Sequence, residues 1–173
     1  QQLRSRLADI DKRLEQVRKR RHLNRQTRRK KGLPTVAIVG YTNAGKSSLL
    51  NAISSGGAYV ADKLFATLDP LTRQVVLPDG RTTMVTDTVG FIQRLPTRLI
   101  AAFRATLEEV QAADLLLHVV DLSSTNLPGQ IASVKESLKE LDVLDKPIIT
   151  VLNKVDLVKN PGKLTIPDAV MVS

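Results

Sequence analysis

Gly40-Tyr-Thr-Asn-Ala-Gly45-Lys46-Ser47 carries two glycines, a lysine and a hydroxyl at the spacing GxxxxGK[ST]. Glycines let a backbone close on phosphate, and successive N–H groups ahead of a helix cradle the anion. In that pattern Lys46 reaches the β- and γ-phosphates, and the Ser47 hydroxyl ligates Mg²⁺. Asn43, Ala44, Gly45 and Ser48 complete the loop's nucleotide-binding set. Further on, Asp87-Thr-Val-Gly90 offers an acid that can hold Mg²⁺ through water and a backbone N–H for a γ-phosphate. Alone, DxxG reads as a solvated turn; after a phosphate loop it gains a meaning. Asn153-Lys-Val-Asp156 then decides the base. A buried carboxylate at Asp156 accepts from guanine N1–H and N2–H₂, donors that adenine does not present. Asn153 can tie the base to the phosphate loop, and the Lys154 stem can lie over the ring. In this order the three motifs select GTP and GDP.

Such groups converge only if strands deliver them to one edge. Thr35–Val39 is a buried-strand run ending at Gly40, and a helix is predicted from Lys46 to Ile53. Val75–Leu77 and Thr83–Thr86 flank Pro78-Asp-Gly80, a hairpin signal. Helical spacing marks Leu99–Gln111 and Ile131–Leu141, with buried strands at Leu115–Val120 and Ile148–Leu152 and a last one beginning at Val170–Val172. Strands alternating with helices imply an α/β fold, a mostly parallel sheet with helices on both faces. Ligands in such sheets bind at the carboxyl ends of the strands, where every motif falls.

Composition narrows the remaining classes. The absence of Cys excludes a disulfide framework, a zinc knuckle and a cysteine nucleophile. No apolar run reaches the roughly 18 residues of a membrane span, and the polar start is no signal peptide. Five aromatic residues (Phe 3, Tyr 2) are too few for a base-stacking RNA-recognition sheet. A cytoplasmic protein is expected.

The charge is uneven. Residues 1–34 hold 13 of the 26 Lys and Arg but 3 of the 17 Asp and Glu, a net of +10; the rest of the chain nets −1. Leu3, Leu7, Ile10, Leu14 and Val17 form an a/d seam of about two heptads. The segment 1–33 is therefore expected to be a basic, coiled-coil-like helical arm, and its mid-heptad opening implies residues before Gln1. Beyond Val17 the seam dissolves into the basic run Arg18–Lys31, until Gly32 and Pro34 mark a boundary with the domain 34–173.

The residues resemble the translation-factor-related P-loop GTPases, and more closely the HflX family of ribosome-associated GTPases. The likeness rests on Gly40–Asn51, Asp62-Lys-Leu-Phe-Ala-Thr-Leu-Asp-Pro-Leu-Thr72, Asp87-Thr-Val-Gly-Phe-Ile92, Ala102–Glu109 and Leu116–Asp121. It implies a P-loop GTPase fold whose GTP hydrolysis controls association with the large ribosomal subunit and its rRNA, in some members to split or rescue ribosomes. By motif, Thr67 would be the switch I threonine that reaches Mg²⁺ and the γ-phosphate, joining Lys46 and Gly90 in catalysis. Ser173 sits where the family's last nucleotide motif, Ser-Ala after an apolar strand, begins.

Two positions depart from a self-sufficient switch. Phe91 follows DxxG where many switch GTPases place a water-orienting glutamine, so slow intrinsic turnover is expected; it reads equally as a core-packing residue. Asn43 occupies the loop position where a subset of related GTPases coordinates K⁺, and it equally suits tight loop geometry. His22 in the basic run and His118 in an apolar strand carry no catalytic signal, and Met84 and Met171 read as core fillers. Two other functions fit the same residues. One is a GTPase switch docking on a protein through its helical arm; the other is a module whose nucleotide is structural and never turns over.

Overall fold

The computed structural model describes residues 15, 16, 23, 32–54, 71–91, 107–159, 166 and 169–173. The chain divides into two compact units, Gln1–Leu33 and Pro34–Ser173, and every element named below belongs to the second. The apolar seam and nearly all of the basic run of the expected arm lie outside the described residues.

Six strands form one sheet in the order β2-β3-β1-β4-β5-β6. They are β1 Thr35–Gly40, β2 Leu71–Val76, β3 Thr82–Asp87, β4 Leu115–Asp121, β5 Ile148–Asn153 and β6 Val170–Met171. All neighbours pair in parallel except β2, which runs antiparallel to β3 through the turn at Pro78-Asp-Gly80. There Gly80 adopts φ 80°, Leu77 N–H donates to Arg81 O at 2.7 Å, and Asp79 accepts from Arg81.

Period-two alternation assigns the two faces. From β1, Ile38 joins Leu50, Val85 and Val119 under α1 (Lys46–Ile53), whereas Ala37 and Val39 join Val110, Leu116, Val134 and Leu138 under α2 (Leu127–Glu140). Residues 107–112 form a helical segment that contributes Val110 to the second face. Helices therefore cover both faces, and each fully buried Leu, Ile or Val adds about 1.5–3 kcal/mol of hydrophobic stabilisation. His118 faces α2; burial, with help from the Lys135 charge, pushes it down to about 4, so it is neutral at pH 7.

Two boundaries differ from expectation by more than one residue. α2 starts at Leu127, a turn before Ile131, because Pro128 fits a first turn that needs no N–H and Leu127 buries beside Val120 and Leu152. β2 starts at Leu71, earlier than Val75, because the whole segment pairs with β3 up to Asp87. Of the expected helix 99–111, residues 99–106 lie outside the described residues. No helix among the described residues is long and apolar enough to cross a membrane.

Candidate functional site

β1 ends at Gly40, and the loop 41–45 turns into α1 with its first helical residue at Lys46. The turn is left-handed at Gly45, φ 96°, which favours glycine. A Cβ at Gly45 would also collide with the side-chain amide of Asn153. Asn43 is left-handed too, at φ 61° and exposed, so loop geometry by itself accounts for an asparagine there. Ala44 is buried and Ser48 exposed.

Lys46 is 6% exposed, and its ammonium donates to Tyr41 O at 3.0 Å. Burial pushes its pKa down to about 8, with the nearby Asp87 carboxylate pulling partly the other way. Ser47 Oγ donates to Asp87 Oδ2 at 2.6 Å, so the loop hydroxyl and the last residue of β3 already meet. Thr88 anchors the segment beyond β3: its hydroxyl donates to Ile38 O at 2.5 Å from a fully buried position. Phe91 N–H then donates to Gly40 O at 3.0 Å, and Thr42 N–H to Phe91 O at 3.1 Å. This pairing holds Gly90 against the loop. A Cβ on Gly90 would come within 2.7 Å of Thr42 Cα and 3.0 Å of Lys46 Nζ. Phe91 itself is fully buried in the cluster that holds Ala37, Val39 and Val110, with Tyr41 of the loop packed against it, so its side chain is a core residue.

The base motif lies where β5 ends. Asn153 is buried, and its Nδ2 donates to Ala44 O at 2.9 Å, fastening this strand end to the phosphate loop. Lys154 is left-handed at φ 63°, and its ammonium pairs with Asp121 Oδ2 at 2.7 Å. Asp121 ends β4 in register with Asn153. Burial works against its ionisation, but hydrogen bonds from Lys154 and Ser123 outweigh that and hold the carboxyl below its ordinary range. Asp156 sits in the 3-10 turn Val155–Leu157 and is exposed, which corrects the expectation of a buried carboxylate. Ser173 is exposed, one residue beyond Val172, whose carbonyl accepts from Val155 N–H at 3.3 Å. β6 thus carries the chain's last residue to the base motif. Thr67 lies outside the described residues.

Lys46, Ser47, Asp87, Gly90, Asn153, Lys154 and Asp156 therefore share the carboxyl edge of β1, β3 and β5. Sequence reasoning missed the work of Asp121 and Thr88. For Asp121 the usable signal was an acid closing a buried strand next to the one that ends in Asn153. For Thr88 it was a hydroxyl inside an otherwise buried run. A buried cation, a hydroxyl–carboxylate pair and an amide-anchored strand end suit a phosphorylated ligand with a polar base at its far end.

A family model described as 50S ribosome-binding GTPase matches residues 35–154. GTPase HflX of Caldanaerobacter subterraneus is 54% identical over 157 residues, covering 91% of this chain and 37% of that protein. GTPase HflX of Escherichia coli is 48% identical over 158 residues, with 91% and 37% covered. This chain thus spans little more than a third of the curated relatives it matches. Among solved structures, Era of Aquifex aeolicus bound to GDP·AlF4⁻ superposes with a TM-score of 0.63 at 25% identity, covering 76% of this chain and 43% of that one. SsGBP in complex with GDP gives 0.56 at 34% identity, covering 73% and 36%.

Proposed function

The chain belongs to the HflX-type members of the 50S ribosome-binding GTPase family, and from that premise we propose that it binds GTP and hydrolyses it to GDP and phosphate while associating with the large ribosomal subunit. The observation that carries the reading is the Asn153–Ala44 hydrogen bond at 2.9 Å, which makes the phosphate loop and the base motif one site.

In this reading the loop 40–47 wraps the phosphates, and Lys46 neutralises the β- and γ-oxygens. Asp156 reads guanine N1–H and N2–H₂ and gains its burial from the base itself, while Lys154 supplies the covering stem and Ser173 the far wall. The donor set also fits Mg²⁺. Ser47 Oγ and Asp87 Oδ2 are hard oxygens already 2.6 Å apart, and Mg²⁺ is held by one or two such side chains together with phosphate oxygens. Ser47 would hold the ion directly, Asp87 through water and Thr67 in the GTP state; the ion would offset charge on the transferring phosphoryl group. Gly90 presents its N–H to the γ-phosphate. With Phe91 sequestered in the core, that position orients no water, so the isolated chain hydrolyses GTP slowly and the ribosome accelerates it. Asn43 would help hold a K⁺ beside the phosphates, which replacement of K⁺ by Na⁺ tests directly.

The basic run Arg18–Lys31 is read as an rRNA contact in the cytoplasm. Arg outnumbers Lys nine to four in the arm, which favours bidentate phosphate recognition. Nucleotide-dependent co-sedimentation with 50S subunits tests this. Neutralising Arg18, Lys19, Arg20 and Arg21 together is expected to weaken binding and flatten its salt dependence by about 0.7–0.9 per lost phosphate contact, with GTP affinity intact. Ribosome affinity that ignores the quadruple substitution leaves the arm as only a charged spacer. Equal affinity of the wild type for GTP and ATP overturns the nucleotide assignment.

A further inference from the structure

We infer that Asp121 is a positioning residue for the guanine pocket: it holds the Lys154 ammonium at the ends of β4 and β5 and so fixes the lysine stem where the base would lie. This rests on the GTP-binding reading and extends it to a residue outside the three nucleotide motifs.

The geometry has three parts. Asp121 and Asn153 are register partners on adjacent parallel strands, so Lys154, one residue further, emerges beside the Asp121 carboxylate. That carboxylate is itself fixed, with Oδ1 accepting from Ser123 N–H at 3.0 Å and Ser123 Oγ at 2.6 Å. Its second oxygen, Oδ2, takes Lys154 Nζ at 2.7 Å, and the two side chains are only 16% and 27% exposed, respectively. The turn Asp121-Leu-Ser123 therefore presents one aimed acceptor to one lysine.

A bound base would gain from this pair in two ways. A lysine stem loses much rotamer freedom when a ligand pins it, and a stem already pinned loses less on binding. The pair also consumes a charge. Lys154 lies two residues before Asp156, whose carboxylate must meet guanine donors, and an unrestrained ammonium would compete for it. Among the described residues Asp156 forms no ion pair, and Lys154 is directed to Asp121 instead. Asp121 thereby keeps one carboxylate of the pocket open to the base by occupying the cation that would block it.

The test is competition binding of GDP and ADP to the 173-residue chain, alongside its thermal midpoint without nucleotide. Asp121→Asn is expected to weaken GDP by about tenfold, the scale of a lost charge-assisted hydrogen bond, and ADP by less, since adenine shares the stem but not the Asp156 contact, so that discrimination falls. Lys154→Met keeps the stem and removes the charge. Added to Asp121→Asn it should cost GDP affinity little more, because the two substitutions break the same contact. Ser123→Ala, which loosens the carboxylate without touching Lys154, should give a smaller loss of about threefold and keeps the question open to test if Asp121→Asn does not fold. Losses of GDP and ADP in equal measure, or additive effects of Asp121→Asn and Lys154→Met, would make the pair a structural strut and overturn the inference. A wild type that does not prefer GDP over ADP instead sinks the GTPase reading, a result visible before any substitution is made.

Discussion

The two ends of the site are built differently. At the phosphate end the functional groups belong to the core: Lys46, Asp87 and Thr88 are all buried, and backbone hydrogen bonds tie the segment 87–91 to the strand end it faces. At the base end Lys154 is half-buried, and Asp156 and Ser173 are exposed on a turn and a strand tip. Only Asn153 belongs to both, buried and bonded to Ala44. One end is thus buried by folding, whereas at the other Lys154 is held by Asp121 and Asp156 stays exposed. Substitutions at the phosphate end should damage binding and stability together, and those at the base end should change binding alone.

The junction gives the largest expected effect. Gly45→Ala places a Cβ against the Asn153 amide at a backbone φ of 96°, so the loop and the base motif cannot both keep their positions. Nucleotide affinity is expected to fall by about a thousandfold, or about 4 kcal/mol, with a lower thermal midpoint in the same protein. Titration calorimetry and thermal unfolding read both. A Gly45→Ala protein with normal GDP affinity would show that the two ends are not mechanically joined.

Asp156→Asn probes the base end by itself. Losing a charged acceptor for guanine N1–H and N2–H₂ should reduce GTP affinity by about a hundredfold and raise that for xanthosine triphosphate, whose C2 carbonyl can accept from the new amide. Because Asp156 is exposed, the midpoint without nucleotide should move by less than about 2 °C. A drop as large as that of Gly45→Ala would erase the contrast between the two ends.

The same contrast governs how much was legible in the sequence. The strands were readable because burial writes itself into runs such as Thr35–Val39 and Ile148–Leu152, and the phosphate loop because its spacing is fixed by backbone geometry. The Asn153 link to the loop was readable from residue type and motif order. The exposure of Asp156 was not, since burial of a turn depends on what covers it, which no local pattern records. Asp121 left only a weak signal for a related reason: an acid closing a strand looks like any capping acid until the register with Asn153 is known. Phe91 illustrates a choice that only the structure makes: bridged to Tyr41, it is fully buried in the cluster that holds Val39 and Val110. At the start of α2 the helical spacing shows only from Ile131, although Pro128 is at home in a first helical turn.

The smallest expected effect is a pH dependence that belongs to the phosphate end. Burial holds Lys46 at about 8 without nucleotide, against the ordinary 10.5. Phosphate oxygens favour its charged form, so binding above pH 8 requires uptake of a proton. GTP affinity is therefore flat below pH 8 and falls as pH rises through that value, by about tenfold at pH 9. Stability without nucleotide runs the opposite way. The unfolded chain binds more protons at this site between pH 8 and 10.5, so folding stability gains across that window as the buried charge is relieved. Guanine also loses its N1 proton in alkali, so the wild type by itself does not isolate the lysine. Lys46→Arg does: its guanidinium stays charged throughout, and any affinity loss it retains at high pH belongs to the base. Subtracting that profile should leave a single transition near pH 8. If the two profiles coincide, Lys46 stays protonated in the empty loop, and the phosphate end is less dry than its burial implies.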